Sequence, residues 1–235
     1  MKVCHHITTD AYDQREVIFV PGWGLETSLW TLVEAALMRI SRTNLRCMII
    51  ELGSTMSLPE VKASRLVVGH STGFLWLLQQ RPFDWNGLIA VNGFTRFLSD
   101  VDFPQGVEAD LLQRMLSRFQ HDPATVITAF LRRCGVKGKT SVSLQKARIL
   151  QKGLVWLRDW DVRQAFATES TPLLILAGGV DPIVPPAMTK ACFNHRSDVK
   201  VFWQPQGGHL LPLSHPQWIA MHILQFLSQL RVKHE

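Results

Sequence analysis

Short apolar runs recur along the chain, and each ends at or near a glycine, a proline or an asparagine. The runs occupy residues 17–20, 47–50, 66–68, 88–91, 173–177 and 199–203. They are rich in β-branched residues and apolar on both faces, which is typical of parallel strands that are covered on both sides. Segments with helical periodicity lie between them. The sequence therefore predicts an α/β protein with a mostly parallel central sheet and helices on both of its faces.

Three of the intervening helices have recognisable boundaries. Ser28 is a candidate N-cap for a helix whose apolar residues recur at helical spacing as far as Ile40. Residues 73–80 are apolar nearly all round, which predicts a buried helix that ends before Pro82. Pro216 is well placed for the first turn of the last helix.

The alternation of strands and helices is interrupted between residues 96 and 170. This stretch, the helical insertion, contains no convincing strand and has helix-like segments at 110–120, 123–133 and 143–156. An all-helical insertion between two core strands predicts a lid over the carboxyl ends of the strands, where such folds bind ligands. We expect one domain, whose core is formed by residues 1–95 and 171–235.

The pentapeptide Gly69-His70-Ser71-Thr72-Gly73 stands between an apolar run and a predicted buried helix. A sharp turn from strand to helix strains its central residue, and it requires small residues two positions before and two positions after it. The two glycines meet this requirement. The hydroxyl of Ser71 would then project from the end of the sheet as a nucleophile. The backbone N–H of Thr72, at a helix N-terminus, would stabilise an oxyanion.

A second oxyanion donor is expected in the loop after the first predicted strand. There, the sequence Pro21-Gly22-Trp23-Gly24 allows the backbone N–H of Trp23 to approach the same oxyanion. The same tetrapeptide is equally compatible with an ordinary turn.

A serine nucleophile needs a base, and the base needs an acid that orients it. His209 follows two glycines after the last predicted strand, and Asp181 follows the strand at 173–177. The order Ser71, Asp181, His209, with each residue after a strand, fits a catalytic triad. Asp181 by itself also fits a turn, because Gly-Gly-Val-Asp-Pro is favourable turn chemistry. His70 is fixed inside the strand-to-helix turn and is a weaker candidate for the base.

Composition limits the classes of function. The 235 residues are 46% hydrophobic and 19% charged, which is enough for one large core, and no run reaches the roughly eighteen apolar residues of a membrane span. The net charge of +6 comes without a long basic run or a nucleic-acid motif, so nucleic-acid binding is not expected. The four cysteines are scattered, which argues against a zinc site or a disulfide framework. We expect a cytoplasmic monomer that needs no membrane, metal or cofactor.

Several segments together resemble the BioH-type pimeloyl-[acyl-carrier protein] methyl ester esterases of biotin synthesis, which have the α/β-hydrolase fold. They are the pentapeptide around Ser71 and residues 20–30, 160–163, 179–185 and 208–216. The resemblance implies hydrolysis of the methyl ester of pimeloyl-acyl carrier protein through an acyl-enzyme. It implies that Ser71, Asp181 and His209 form the triad and that the backbone N–H groups of Trp23 and Thr72 are the oxyanion donors.

The chain departs from this family in three places. Pro21 occupies the position where most relatives have histidine, the segment 51–65 is shorter than usual, and the N-terminal hairpin is short. The donor next to Pro21 is a backbone group, so the first departure does not remove it. The shorter segments indicate a compact, divergent relative and leave the substrate open.

Basic residues in the helical insertion form a candidate surface for the carrier. The insertion contains twelve Lys and Arg residues and eight Asp and Glu residues, a net charge of +4. A basic rim would attract an acidic carrier protein and the phosphate of its phosphopantetheine arm. We expect contributions from Arg132, Arg133, Lys146 and Arg148, while a merely solvated face has the same pattern.

Two other functions remain open. A hydrolase of the same fold could act on small free esters, thioesters or carbon–carbon bonds. A non-catalytic member could bind a ligand without turning it over, but such a protein has no need of a complete triad. Four large residues of the insertion either line an acyl tunnel or pack in the core: Phe119, Phe130, Leu154 and Trp156.

Overall fold

The computed structural model describes residues 15–42, 45–54, 64–138 and 142–230. The N-terminal hairpin and most of the short segment at 51–65 lie outside these residues. Within them, no helix is both long enough and apolar enough to cross a membrane. Three of the four cysteines are described, and none of these three forms a disulfide.

A six-stranded, entirely parallel sheet forms the centre of the described structure. Its strands are β1 (Arg15–Val20), β2 (Leu45–Ile49), β3 (Arg65–His70), β4 (Gly87–Val91), β5 (Leu173–Gly178) and β6 (Lys200–Gln204). They lie in the order β2-β1-β3-β4-β5-β6. The predicted α/β class with a mostly parallel sheet is confirmed, and each strand begins and ends within two residues of its predicted run.

Nine α-helices surround the sheet in the described part of the chain. They are α1 (Thr31–Ile40), α2 (Thr72–Gln80), α3 (Ala109–Phe119), α4 (Pro123–Arg133), α5 (Leu144–Asp159), α6 (Arg163–Thr168), α7 (Pro186–Phe193), α8 (Leu211–Ser214) and α9 (Pro216–Gln229). The buried helix after the pentapeptide, the last helix and the three predicted helices of the insertion are all present.

The predicted N-cap at Ser28 is wrong. Ser28 lies inside a 3-10 turn, Thr27–Trp30, and α1 begins only after this turn. The N–H of Leu29 donates to the carbonyl of Glu26, which closes a tighter turn than an α-helix would. The buried side chains of Leu29 and Trp30 hold this turn against the core.

Two apolar clusters cover the two faces of the sheet. Val17 and Phe19 of β1 belong to the cluster that includes α1 and α9, whereas Ile18 and Val20 belong to the cluster that includes α2 and the helical insertion. This alternation is the period of two that a strand imposes on its side chains. The apolar residues of the insertion are therefore continuous with the core on one face of the sheet.

The register of the sheet places the ends of four neighbouring strands side by side, so the loops that follow them start next to one another. Val20 of β1 pairs with Gly69 of β3, His70 of β3 pairs with Val91 of β4, and Val91 pairs with Leu176 of β5. Because the strands are parallel, the loops that follow β1, β3, β4 and β5 all leave from the carboxyl edge of the sheet. Such an edge is where open α/β sheets bind ligands.

Candidate active site

Ser71 occupies a strained turn between β3 and α2. Its φ of 52° and ψ of −123° are unusual for a residue with a side chain. The flanking glycines make the turn possible: a methyl group at Gly69 would lie 2.6 Å from Cα of Phe74, and one at Gly73 would lie 2.7 Å from the carbonyl oxygen of Pro21. The backbone N–H of Ser71 donates to the carbonyl of the last residue of β4 at 3.0 Å, which ties the turn to the sheet.

Asp181 and His209 form a buried hydrogen-bonded pair. Nδ1 of His209 lies 2.8 Å from Oδ2 of Asp181, and both side chains are completely buried. Oδ1 of Asp181 accepts the backbone N–H groups of Ile183 and Val184, at 2.7 Å and 2.9 Å. Asp181 thus serves both its own turn and the histidine. Because a carboxylate only accepts, Nδ1 carries the proton and Nε2 of His209 is left as the basic nitrogen.

Nε2 of His209 is buried and makes no hydrogen bond to another described residue. The hydrogen bond between this nitrogen and the hydroxyl of Ser71, which a triad requires, is therefore not formed in this conformation. Such bonds are often loose in proteins without substrate and tighten when substrate binds. The histidine is nevertheless close to the turn, since its ring centroid lies 4.8 Å from that of His70, the neighbour of Ser71.

Asn92, directly after β4, joins the loops that carry Asp181 and His209. Its Nδ2 donates to the carbonyls of Gly208 and His209, at 2.9 Å and 2.8 Å, and its Oδ1 accepts the N–H of Gly178 at 2.8 Å. Asn92 is 2% exposed and has a φ of 47°. In the sequence this asparagine is recognisable only as a turn residue that ends a strand, because side-chain bonds to distant loops leave no local pattern.

His70 provides a second support for the histidine loop. Its Nε2 lies 2.8 Å from the carbonyl oxygen of His209, and since a carbonyl only accepts, this nitrogen carries the proton. Burial, and secondarily the neighbouring charge of His209 when protonated, lowers the pKa of His70 to about 3. His70 is therefore neutral at ordinary pH and acts as a hydrogen-bond donor, not as a base.

The predicted oxyanion donors lie close to Ser71. A methyl group at Gly22 would approach Cβ of Ser71 to 2.9 Å, so the loop after β1 is packed directly against the turn of Ser71. Trp23 and Thr72 line the same cavity as Ser71. Neither of their backbone N–H groups donates to another described residue, and Thr72 begins α2, where the helix dipole favours negative charge. Their role as oxyanion donors stays a prediction.

A cavity of about 420 Å³ opens beside Ser71, under the helical insertion. Its wall is mainly apolar and comes largely from α3 and α4. Of the four large residues considered above, Phe130 lines the cavity, Phe119 and Leu154 are buried in the core, and Trp156 stacks on Trp160 with ring centroids 4.7 Å apart. One of the four thus faces the cavity, and the other three pack elsewhere.

All charged residues that line the cavity are arginines: Arg114, Arg118 and Arg133. Arg114 and Arg118 lie one helical turn apart on α3 and are exposed, so they stand at the mouth. Neither was predicted from the sequence, although their spacing of four residues places them on one face of a helix. Arg133 was predicted to contact the carrier, and its guanidinium donates to the carbonyl of Pro182 at 3.0 Å and 3.2 Å.

The structure does not bring the four predicted carrier-binding residues to one place. Arg133 lies at the cavity, beside the loop that carries Asp181. Lys146 pairs with Glu26 of the loop after β1, with Nζ and Oε1 2.6 Å apart. Arg132 and Arg148 are exposed and do not line the cavity. Their contact with a carrier stays a prediction.

Comparisons with known proteins give the relatives of this chain. No protein-family model matches it. It is 26% identical to the pimeloyl-[acyl-carrier protein] methyl ester esterase of Neisseria meningitidis serogroup B / serotype 15 (strain H44/76) over 183 residues, which cover 72% of this chain and 71% of that protein. It is 25% identical to the protein of the same name from Aromatoleum aromaticum (strain DSM 19018 / LMG 30748 / EbN1) over 240 residues, which cover 88% of this chain and 96% of that one.

Solved structures agree with the predicted fold. The esterase EaEST from Exiguobacterium antarcticum superposes with a TM-score of 0.72 at 13% sequence identity, over 92% of this chain and 93% of that one. At this identity the likeness concerns the fold. The predicted class, a carboxylic ester hydrolase, agrees with the names of the sequence relatives. The chain therefore has the α/β-hydrolase fold and is related in sequence to the pimeloyl-[acyl-carrier protein] methyl ester esterases.

Proposed function

We propose that the protein is a serine carboxylesterase that hydrolyses the methyl ester of an acyl chain attached to acyl carrier protein, as its relatives are named for doing. The observation that carries the proposal is the buried pair of Asp181 and His209 next to a strained serine turn. A buried carboxylate that orients a histidine leaves its second nitrogen basic, which is what activation of a serine hydroxyl requires.

The reaction follows from these groups in two steps. Oγ of Ser71 attacks the ester carbonyl carbon while Nε2 of His209 takes the hydroxyl proton, and the N–H groups of Trp23 and Thr72 stabilise the oxyanion. The tetrahedral intermediate collapses, the bond to the methoxy oxygen breaks, and His209 returns the proton so that methanol leaves. Water, deprotonated by His209, then attacks the carbonyl carbon of the acyl-enzyme and forms a second tetrahedral intermediate. When this collapses, the bond to Oγ of Ser71 breaks and His209 returns the proton to Oγ, which releases the carboxylic acid and restores Ser71.

The lining of the cavity suits an acyl chain that is attached to an anionic carrier. An apolar wall beside the nucleophile suits a hydrocarbon chain. Arg114 and Arg118 at the mouth place positive charge where the chain would leave for the phosphopantetheine phosphate. Arg132 and Arg148 are exposed on the insertion and add to its positive charge. Arg133 and Lys146 already bond to Pro182 and Glu26 and have less to offer a carrier.

The first prediction compares a carrier-linked ester with a free one. Charge reversal at the two exposed arginines of α3 that line the cavity, Arg114→Glu with Arg118→Glu, should lower kcat/KM for pimeloyl-acyl carrier protein methyl ester by roughly tenfold or more, because the enzyme loses the positive charge that steers the acidic carrier. The loss on dimethyl pimelate should be several-fold smaller, and added salt should reduce the difference between variant and wild type. Steady-state kinetics on both substrates, at two salt concentrations, measure this.

Arg39→Glu serves as the matched control, because Arg39 is an exposed arginine of α1, whose buried residues pack on the other face of the sheet. It should leave turnover of both esters close to wild type. Equal losses on the carrier-linked and the free ester would contradict carrier docking and leave a hydrolase of small esters. Binding of the ester without any hydrolysis, unchanged in Ser71→Ala, would instead identify a non-catalytic ligand-binding protein.

A further inference from the structure

The indole of Trp23 contacts all three long helices of the insertion. Its ring centroid lies 6.0 Å from that of Phe119 on α3 and 5.1 Å from that of Phe130 on α4. Its Nε1 donates a buried hydrogen bond of 2.7 Å to the carbonyl of Leu150 on α5. Trp23 is 2% exposed, so the ring is enclosed by the insertion although the residue belongs to the loop after β1.

The lack of a side chain at Gly153 of α5 leaves room for the indole ring of Trp23. A methyl group at Gly153 would lie 2.6 Å from Cδ1 of Trp23, closer than real side-chain contacts. A glycine inside a helix destabilises it relative to alanine, so a glycine in the middle of α5 calls for a packing reason. The close approach of the Trp23 ring supplies that reason.

The same loop is attached to the insertion at two further points. Glu26 pairs with Lys146 of α5 at 2.6 Å. A methyl group at Gly24, whose φ is +73°, would lie 3.3 Å from the ring of Phe130. On its other side the loop touches Ser71 through Gly22. Residues 22–26 therefore lie between the turn of Ser71 and the insertion, in contact with both.

We propose that the side chain of Trp23 is a positioning residue through which α5 sets the position of the backbone N–H of Trp23 relative to Ser71. This inference rests on the proposed function, in which that N–H stabilises the oxyanion. An oxyanion donor acts only within a narrow range of distance, about 2.7–3.1 Å, and losing one lowers kcat by roughly 10²–10³-fold. The insertion would thus contribute to the chemical step itself, in addition to shaping the cavity.

Gly153→Ala tests the proposal with a change that favours the helix but displaces the indole. We expect kcat on p-nitrophenyl acetate to fall roughly tenfold or more, with KM within about twofold, because this small ester needs little of the cavity while every ester needs the oxyanion donors. Affinity for phenylboronic acid, which forms a tetrahedral adduct with a reactive serine, should fall in parallel. Lys152→Ala, an exposed neighbour on the same helix, should match wild type in both assays.

A second variant separates positioning from general damage. Trp23→Phe removes Nε1 with its bond to Leu150 and the second ring, and the smaller side chain has room to shift away from an alanine at 153. Alone it should lower kcat, and combined with Gly153→Ala it should recover activity relative to Gly153→Ala, since the two changes relieve each other. Folding of each variant is checked by its melting temperature. If Gly153→Ala does not fold, kcat of Trp23→Phe alone tests the positioning role of the indole.

Three outcomes would overturn the inference. One is an unchanged kcat in folded Gly153→Ala or in Trp23→Phe. Another is an effect on KM alone, and the third is a double variant whose losses simply multiply. Each of these leaves the proposed function intact as long as Ser71→Ala is inactive. Full activity of Ser71→Ala would instead reject the proposed function itself.

Discussion

The backbone carbonyl of His209 accepts two hydrogen bonds, one from Asn92 and one from His70. Both donors are buried, and both sit at the ends of central strands. Side chains that hold a catalytic loop by its backbone affect the position of the base without touching the substrate. At the scale of single residues, Asn92 and His70 thus hold the loop of His209 in place through its backbone.

Asn92→Asp is the sharpest residue-scale prediction. The carboxylate has the shape of the amide and still accepts the N–H of Gly178, but it cannot donate to the carbonyls of Gly208 and His209. A lost buried hydrogen bond of this kind costs about 1–3 kcal/mol. We therefore expect kcat/KM for p-nitrophenyl acetate to fall by roughly tenfold to a hundredfold, mainly in kcat. Kinetics measured well below the melting temperature of each variant check this.

Asn86→Asp provides the matched control, since Asn86 accepts the N–H of Arg65 at the opposite end of the sheet. It makes the same chemical change away from the site and should leave kcat unchanged. A wild-type kcat in Asn92→Asp, or an equal loss in both variants, would contradict a positioning role for Asn92.

We predict that burial of neutral His70 makes the free energy of unfolding sensitive to acid. Its pKa is lowered from 6.5 to about 3 in the folded state, so below pH 6.5 the unfolded chain binds a proton that the folded chain does not. The stability that neutral His70 contributes is complete above pH 6.5 and is lost as the pH falls towards 3. Between pH 6.5 and pH 5 this amounts to about 2 kcal/mol, from roughly 1.4 kcal/mol per pH unit.

His70→Gln keeps a donor for the carbonyl of His209 and removes the titration. Denaturant unfolding at pH 6.5 and at pH 5 should show a smaller loss of unfolding free energy in this variant than in wild type, by about 2 kcal/mol. Equal losses of unfolding free energy in the two proteins would show that His70 takes up a proton as readily in the folded state as in the unfolded chain.

At the scale of elements, sequence periodicity identified the long helices and all six strands. The strands were recognisable because each contains a short apolar run. Every residue of β3, β4 and β5 is buried, whereas the edge strands β2 and β6 are only partly buried. The short helices α6, α7 and α8 were not predicted, since four to eight residues give too few turns for a helical period to show. Ser28 was predicted as an N-cap because serine is a common N-cap residue. The 3-10 turn that it occupies instead depends on the burial of Trp30, which residue type alone does not show.

The contacts that join the two ends of the insertion to each other also escaped prediction. Asp161, just before α6, pairs with Arg96 at 3.2 Å and with Arg163 at 2.6 Å, and residues 96 and 161 form an antiparallel bridge. The two ends of the helical insertion are thus joined to each other next to β4 and β5. Contacts between residues far apart in the chain have no signature in local periodicity, so only the fold reveals them.

At the scale of the whole molecule, the parallel sheet explains why the order of three residues in the sequence was informative. Loops after β3, β5 and β6 must leave from one edge of a parallel sheet, so Ser71, Asp181 and His209 were expected to be neighbours before any coordinates. The structure joins Asp181 to His209 directly and leaves the bond from His209 to Ser71 unformed. The spacing of Arg114 and Arg118 places them on one face of α3, but their position at the cavity could not be predicted, because the sequence does not fix which face of that helix turns towards Ser71.

The proposed function depends above all on Ser71 being a nucleophile that His209 activates. Incubation with a fluorophosphonate, followed by digestion and mass spectrometry, tests this directly, because the reagent bonds to an activated serine oxygen. We predict one phosphonyl adduct, on the peptide that contains Ser71, absent from Ser71→Ala and formed at least roughly a hundredfold more slowly in folded His209→Ala. An adduct on another residue, or an unchanged rate in His209→Ala, would contradict the account.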